Sequence, residues 1–127
     1  MNGGKILIVD DDPIVHMLYK KHLEREGFEL LMARDGGEAV TVAQETKPDL
    51  IVMDIMMPEL NGFAAMRKLK ESEVTRDVPV IVMTANVEHY ATVGKEAQVE
   101  GAVGVLTKPL SPAKLVSEVR RILPGRA

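Results

Sequence analysis

Four short runs of apolar residues, spread along the whole chain, constrain its fold more than any other feature. They lie at residues 6–9, 50–53, 80–83 and 103–106, and amphipathic helix patterns separate them. Such runs are typical of strands buried on both faces, which occur in parallel sheets covered by helices. The alternation therefore predicts an α/β fold with a parallel sheet between two layers of helices.

Residues 29–33 form a fifth and less clear strand pattern, which we expect at an edge of the sheet. The first helix has Asp12 as its N-cap and Pro13 as its first residue, and Gly27 ends it. Its predicted inward stripe is Val15, Leu18, Tyr19, His22 and Leu23. Further helices are predicted at about residues 37–46, from about residue 61, at about residues 87–99 and from residue 112. With no linker or repeat, residues 1–127 are expected to form one domain.

Side chains able to do chemistry follow the four apolar runs. Asp10 and Asp11 follow the first, Asp54 the second, Thr84 the third, and Lys108 comes shortly after the fourth. Because ligands bind at the carboxyl ends of the strands in open α/β sheets, we expect these side chains to meet at one edge.

Three carboxylates that meet there repel one another, and a hard divalent cation such as Mg²⁺ relieves the repulsion. A carboxylate can also attack phosphorus to form an aspartyl phosphate, while an ammonium and a hydroxyl stabilise the phosphoryl oxygens. The pattern therefore favours metal-assisted phosphoryl transfer.

Composition excludes several other functions. The chain has no cysteine, which excludes disulfide, zinc-thiolate and thiol chemistry. A net charge of −3 without a dense basic run argues against direct nucleic-acid binding. No apolar stretch has membrane-spanning length and the start lacks a secretory pattern, so we expect a cytoplasmic protein. The three histidines lack metal-ligand spacing; we expect His16 to be exposed, His22 to be a packing residue, and none to be catalytic.

Four motifs in order carry a resemblance to a known family. They are Val9-Asp10-Asp11-Asp12-Pro13, Asp54-Ile55-Met56-Met57-Pro58, Met83-Thr84-Ala85 and Thr107-Lys108-Pro109. With them, the whole chain resembles the receiver domain of two-component response regulators, of the single-domain chemotaxis type. The resemblance implies a doubly wound, flavodoxin-like three-layer sandwich with strand order 2-1-3-4-5.

The resemblance also implies roles for individual residues. Asp54 would accept a phosphoryl group from a phosphohistidine of a sensor histidine kinase or a histidine phosphotransfer protein. Mg²⁺ (or Mn²⁺) would be held by Asp10, Asp11, Asp54 and the main-chain carbonyl of Met56. The phosphoryl group would be contacted by Thr84, Ala85 and Lys108, and the bond before Pro109 would be cis.

Two surfaces are implied in the same way. The first helix would dock the kinase through Ile14, Val15 and Leu18, and Ile14 is the best candidate because the other two also fit the core stripe. A downstream effector or output domain would read a face that includes Tyr90 and Val105. Val105 stands where many receivers have an aromatic ring, which puts an aromatic switch in doubt.

Three alternatives remain open from the residues. One is a receiver-like scaffold that never takes phosphate. Another is a Mg²⁺-dependent phosphatase of the haloacid-dehalogenase type, which would need a second Asp where Met56 stands. The third is a flavodoxin-like electron carrier, which would need a hydroxyl-rich loop in place of Asp10, Asp11 and Asp12. We expect a phosphoacceptor rather than an enzyme, with slow dephosphorylation, since Met56 and Asn86 cannot act as bases.

Overall fold

The computed structural model describes residues 4–55, 62–84, 101–107 and 110–123. Within them, five parallel strands form one sheet in the order β2-β1-β3-β4-β5. The strands are β1 (Lys5–Val9), β2 (Glu29–Ala33), β3 (Leu50–Asp54), β4 (Val80–Thr84) and β5 (Gly104–Thr107). The described helices are α1 (Pro13–Arg25), α2 (Gly36–Thr46), α3 (Gly62–Glu71) and α4 (Pro112–Ile122).

The predicted fold class and strand order are confirmed, and β2 lies at an edge of the sheet as expected. Three strands end one residue later than predicted, so that Asp54 ends β3, Thr84 ends β4 and Thr107 ends β5. The last strand begins at Gly104 rather than Val103. The helix predicted at about residues 87–99 lies outside the described residues.

Side-chain caps fix where the helices begin. Asp12 accepts a hydrogen bond from the Ile14 N–H at 2.9 Å, directly before Pro13 opens α1. Ser111 does the same for α4, accepting from the Lys114 N–H at 3.1 Å. The start of α1 is therefore held close to the end of β1, where the acidic residues lie.

The sheet is buried on both faces because its strands alternate between two apolar clusters. One cluster joins the sheet to α2 and α3, and its members include Leu7, Val9, Ile51, Met53, Met66 and Leu69. The other joins the sheet to α1 and α4, and includes Ile6, Ile8, Leu23, Leu50, Ile81 and Leu115. Each fully buried side chain of this size contributes roughly 1.5–3 kcal/mol relative to exposure. The two clusters together hold the strand ends in a rigid frame.

Beside this second cluster, polar contacts join α1 to the segment before α4, and α4 to the residue after α1. The Tyr19 hydroxyl donates to the Leu110 carbonyl at 2.9 Å, and Arg120 forms an ion pair with Glu26. None of the helices in the described part of the chain is long and apolar enough to cross a membrane.

Two expectations for α1 were wrong. Leu18, placed in the inward stripe, is 43% exposed, and His16, expected to be exposed, is only 5% exposed. The inward face is centred on His16, Tyr19 and Leu23, which follow helical spacing and pack toward the sheet. His22 is half-buried, as expected of a packing residue.

Candidate functional site

The register of the sheet brings two buried carboxylates together. Val9 of β1 pairs with Met53 of β3, so the next residues, Asp10 and Asp54, lie side by side at the carboxyl edge. Asp10 is fully buried and Asp54 is 4% exposed. Asp11 is exposed, and it contributes a third carboxylate whose oxygen lies within 4.8 Å of one from each of the others.

This cluster has dimensions that suit a magnesium ion. Mg²⁺ takes oxygen ligands at about 2.1 Å, so neighbouring ligand atoms of an octahedron lie about 3 Å apart and opposite ones about 4.2 Å apart. A spread of at most 4.8 Å among Asp10, Asp11 and Asp54 is close to these distances. Since Mg²⁺ also keeps several waters, one of the three carboxylates can bind through a water. The residues present therefore fit the ion.

The loop between β1 and α1 is held by hydrogen bonds to the N–H, the carboxylate and the carbonyl of Asp10. Its N–H donates to the Ala33 carbonyl of β2 at 3.0 Å. One of its carboxylate oxygens accepts from the Asp12 N–H at 2.9 Å. Its own carbonyl lies 2.6 Å from Nε2 of His16 on α1. The acidic loop is thus anchored to the neighbouring strand and to the helix that follows it.

Thr84 and the end of β5 approach the same edge. Thr84 is fully buried and lies one residue beyond Met83, which pairs with Asp54 across β3 and β4. Thr84 in turn pairs with Thr107, the residue before Lys108. The structure therefore brings together Asp10, Asp11 and Asp54 with Thr84 nearby. Four predicted site residues lie outside the described residues: Met56, Ala85, Lys108 and Pro109.

The predicted docking residues differ in exposure. Ile14 is 70% exposed and Leu18 is 43% exposed, whereas Val15 is half-buried and packs against the cluster under α1. Met17, which was not predicted, is also 70% exposed. Ile14, Met17 and Leu18 form an apolar patch on α1, which we call the α1 patch. Of the predicted output face, Val105 is half-buried against the cluster under α2 and α3, and Tyr90 lies outside the described residues.

Sequence reasoning missed both His16 and Met17. A signal was available for His16, because it lies three residues before Tyr19 and seven before Leu23, on the same helix face. No sequence pattern indicates its hydrogen bond to a main-chain carbonyl.

Comparisons with known proteins agree with this architecture. The family model described as "Response regulator receiver domain" matches residues 6–120. Protein PilH of Pseudomonas aeruginosa is 39% identical over 122 residues, which cover 96% of this chain and 99% of PilH. Several relatives named as transcriptional regulators are longer, and this chain spans only 48% to 53% of their length.

Solved structures show the same likeness. The chemotaxis response regulator CheY4 of Vibrio cholerae superposes with a TM-score of 0.85 at 29% identity, covering 94% of this chain and 98% of CheY4. The receiver domain of the sensor histidine kinase PA1611 of P. aeruginosa has a TM-score of 0.84 at 30% identity, covering 95% of this chain and 98% of its own. That structure is described with a magnesium ion coordinated in the active site cleft. With the family model spanning most of its length, this chain belongs to the response regulator receiver domains of two-component systems.

Proposed function

We propose that this domain is a phosphorylation-dependent signalling switch with Asp54 as its phosphoacceptor. The observation that carries the proposal is the cluster of Asp10, Asp11 and Asp54 at the carboxyl edge of the sheet. Asp54 is the member that ends β3, the central strand, and it is almost fully buried. A carboxylate in that position is oriented by its strand and shielded from most competing solvent.

In the proposed reaction, an Asp54 oxygen attacks the phosphorus of a phosphohistidine. The new O–P bond forms as the N–P bond breaks, and the imidazole leaves with the electron pair of the broken bond. Asp10 and Asp11 would hold a Mg²⁺ ion together with Asp54 and the main-chain carbonyl of Met56. When bound, the ion would offset negative charge on the phosphoryl oxygens and the carboxylates.

Thr84 and Lys108 are proposed to stabilise the phosphorylated state. Thr84 ends β4 next to Asp54, so its hydroxyl is within reach of donating to a phosphoryl oxygen after a small movement. Lys108 supplies a positive charge from the segment after β5, and the Ala85 N–H offers a further donor. The phosphoryl group adds a charge of about −1.5 to −2. This charge favours the conformation in which Lys108, Thr84 and the Ala85 N–H contact the phosphoryl oxygens.

The readout is proposed to be a changed surface near β5 and the helices beside it, which a downstream effector or output domain binds. Val105 is an aliphatic residue in β5 that packs against the core, so switching here relies on movement of Thr84 and its following segment rather than on a ring. We propose that the domain works in the cytoplasm, without direct contact with nucleic acid or membrane, and loses its phosphoryl group slowly. It acts as a phosphoacceptor rather than as an enzyme.

The α1 patch is the proposed docking surface for the phosphohistidine donor. Ile14 and Met17 are each 70% exposed and share one helix face with Leu18, and contiguous exposed apolar residues of this kind mark interaction sites. The patch begins four residues after Asp10, so a partner seated on it brings a histidine close to the acidic edge. The donor is a sensor histidine kinase or a histidine phosphotransfer protein.

Intact mass spectrometry tests the proposal. The wild type and Asp54→Asn are incubated with a small acyl phosphate, with Mg²⁺ or with excess EDTA. We expect a phosphoryl adduct on the wild type with Mg²⁺ and on neither control. A folded wild type that binds Mg²⁺ and gains no adduct would favour a phosphate-independent scaffold. Steady release of inorganic phosphate at seconds per turnover would instead favour a phosphatase.

A further inference from the structure

A buried histidine contacts the acidic loop from α1. His16 is 5% exposed, and its Nε2 lies 2.6 Å from the main-chain oxygen of Asp10. A carbonyl oxygen can only accept, so Nε2 carries the hydrogen and donates it. The contact spans six residues and joins the second turn of the helix to the residue that directly follows β1.

The other ring nitrogen of His16, Nδ1, differs from Nε2 in its hydrogen bonding. Nδ1 is buried and has no hydrogen-bond partner among the residues that the structure describes. An unpaired buried acceptor is unfavourable, so an apolar side chain of similar size would serve packing at least as well. The benefit of a histidine at this position therefore comes from the Nε2–H bond to Asp10.

That bond controls the direction in which Asp11 leaves the strand. The Asp10 carbonyl and the Asp11 N–H belong to one planar peptide unit, so holding the oxygen fixes the plane of that unit. The Asp10 N–H and carboxylate are held as well, by Ala33 and by Asp12. Asp11 itself is exposed, so its orientation depends strongly on the direction of its main chain.

We propose that His16 is a positioning residue for Mg²⁺ binding, acting through the Asp10 carbonyl to place the Asp11 carboxylate beside Asp10 and Asp54. This inference rests on the proposed metal-dependent function and adds a residue outside the four motifs. Groups that orient metal ligands in this way typically change metal affinity by about 10- to 100-fold when they are replaced.

The test is Mg²⁺ titration by isothermal calorimetry, alongside urea unfolding in EDTA. We expect His16→Leu to weaken Mg²⁺ binding by about 10-fold. The variant leaves the Asp10 carbonyl without its donor but also removes the unpaired Nδ1, so its unfolding midpoint should fall by no more than about 1 M and the domain should stay folded. His16→Gln, whose amide nitrogen can reach the position of Nε2, is expected to recover most of the affinity. His22→Leu is the matched control, since the ring of His22 bonds to the Leu18 carbonyl of its own helix and lies away from the acidic loop.

A double-mutant cycle with Asp11→Asn separates positioning from a general loss of structure. We expect His16→Leu to have little further effect on Mg²⁺ affinity once the Asp11 carboxylate is gone. If His16→Leu bound Mg²⁺ as tightly as the wild type, or lowered the Mg²⁺ affinity equally with and without the Asp11 carboxylate, His16 would not be a positioning residue. The proposed function would still stand. A wild type that binds no Mg²⁺ would overturn both.

Discussion

Replacing Asp54 by Asn is expected to stabilise the metal-free domain, because it removes one of two buried carboxylates that lie side by side. Oxygens of Asp10 and Asp54 lie within 4.8 Å of each other. Two unit charges at that distance repel by about 3.5 kcal/mol at an effective dielectric constant of 20, and by about 0.9 kcal/mol at the value of water. We therefore expect the free energy of unfolding in EDTA to rise by about 1–3 kcal/mol.

Mg²⁺ narrows this difference in stability between the variant and the wild type. At a concentration 100 times the dissociation constant, a ligand that binds only the folded state adds about 2.7 kcal/mol to its stability. The wild type should gain this amount, whereas Asp54→Asn, with two carboxylates left, should gain under about 1 kcal/mol. The variant is thus more stable than the wild type without metal, and much of that difference disappears with metal.

Urea unfolding followed by circular dichroism measures both effects. With a slope of about 2 kcal/mol per molar, the expected gain in EDTA raises the midpoint by about 0.5–1.5 M. Asp77→Asn is the matched control, because it removes the same charge from an exposed turn at the opposite end of β4. If Asp54→Asn in EDTA were no more stable than Asp77→Asn, or gained as much from Mg²⁺ as the wild type, the electrostatic reasoning would be refuted.

Three further substitutions test the packing of α1 and α4 on the sheet and the role of the α1 patch. Tyr19→Phe leaves the buried Leu110 carbonyl without its donor and should lower the free energy of unfolding by about 1–2 kcal/mol in urea; an unchanged value would mean that the bond contributes nothing. Leu115→Ala opens a cavity under α4 and should cost about 2–5 kcal/mol in the same assay, and a loss under 1 kcal/mol would contradict its full burial. Ile14→Asp should slow phosphotransfer from a phosphohistidine protein at least about 10-fold and leave acyl-phosphate labelling unchanged; Val74→Asp, on the turn before β4, is the control, and equal slowing with both donors would argue against docking.

The strands could be predicted because they are buried on both faces. A strand such as Leu50–Asp54 has no room for polar residues until it reaches the edge, so the first carboxylate marks both its end and the site. The order of the strands and the meeting of Asp10 with Asp54 then follow from parallel winding. The family resemblance supplied what spacing could not, namely which carboxylate accepts the phosphoryl group, and that assignment stays a prediction.

The first helix was predicted less well, because apolar identity alone does not fix which face points inward. Leu18 fits an apolar stripe by residue type, yet the orientation of the helix exposes Leu18 to solvent and buries His16 instead. A histidine can replace an apolar residue on the inner face when its ring finds a main-chain partner, and that partner depends on tertiary geometry. The exposure of Met17 follows from the same orientation of the helix.

One face of the α1 helix is hydrogen-bonded to other parts of the described chain, through His16 to Asp10 and through Tyr19 to Leu110. The first of these bonds lies beside the acidic loop, and the second involves a residue two positions after Lys108. The opposite face of the helix carries Ile14 and Met17, which take part in neither bond. Such a division makes the helix evolvable: substitutions on the outer face can exchange one docking partner for another, while the inner face keeps the spacing on which the chemistry depends.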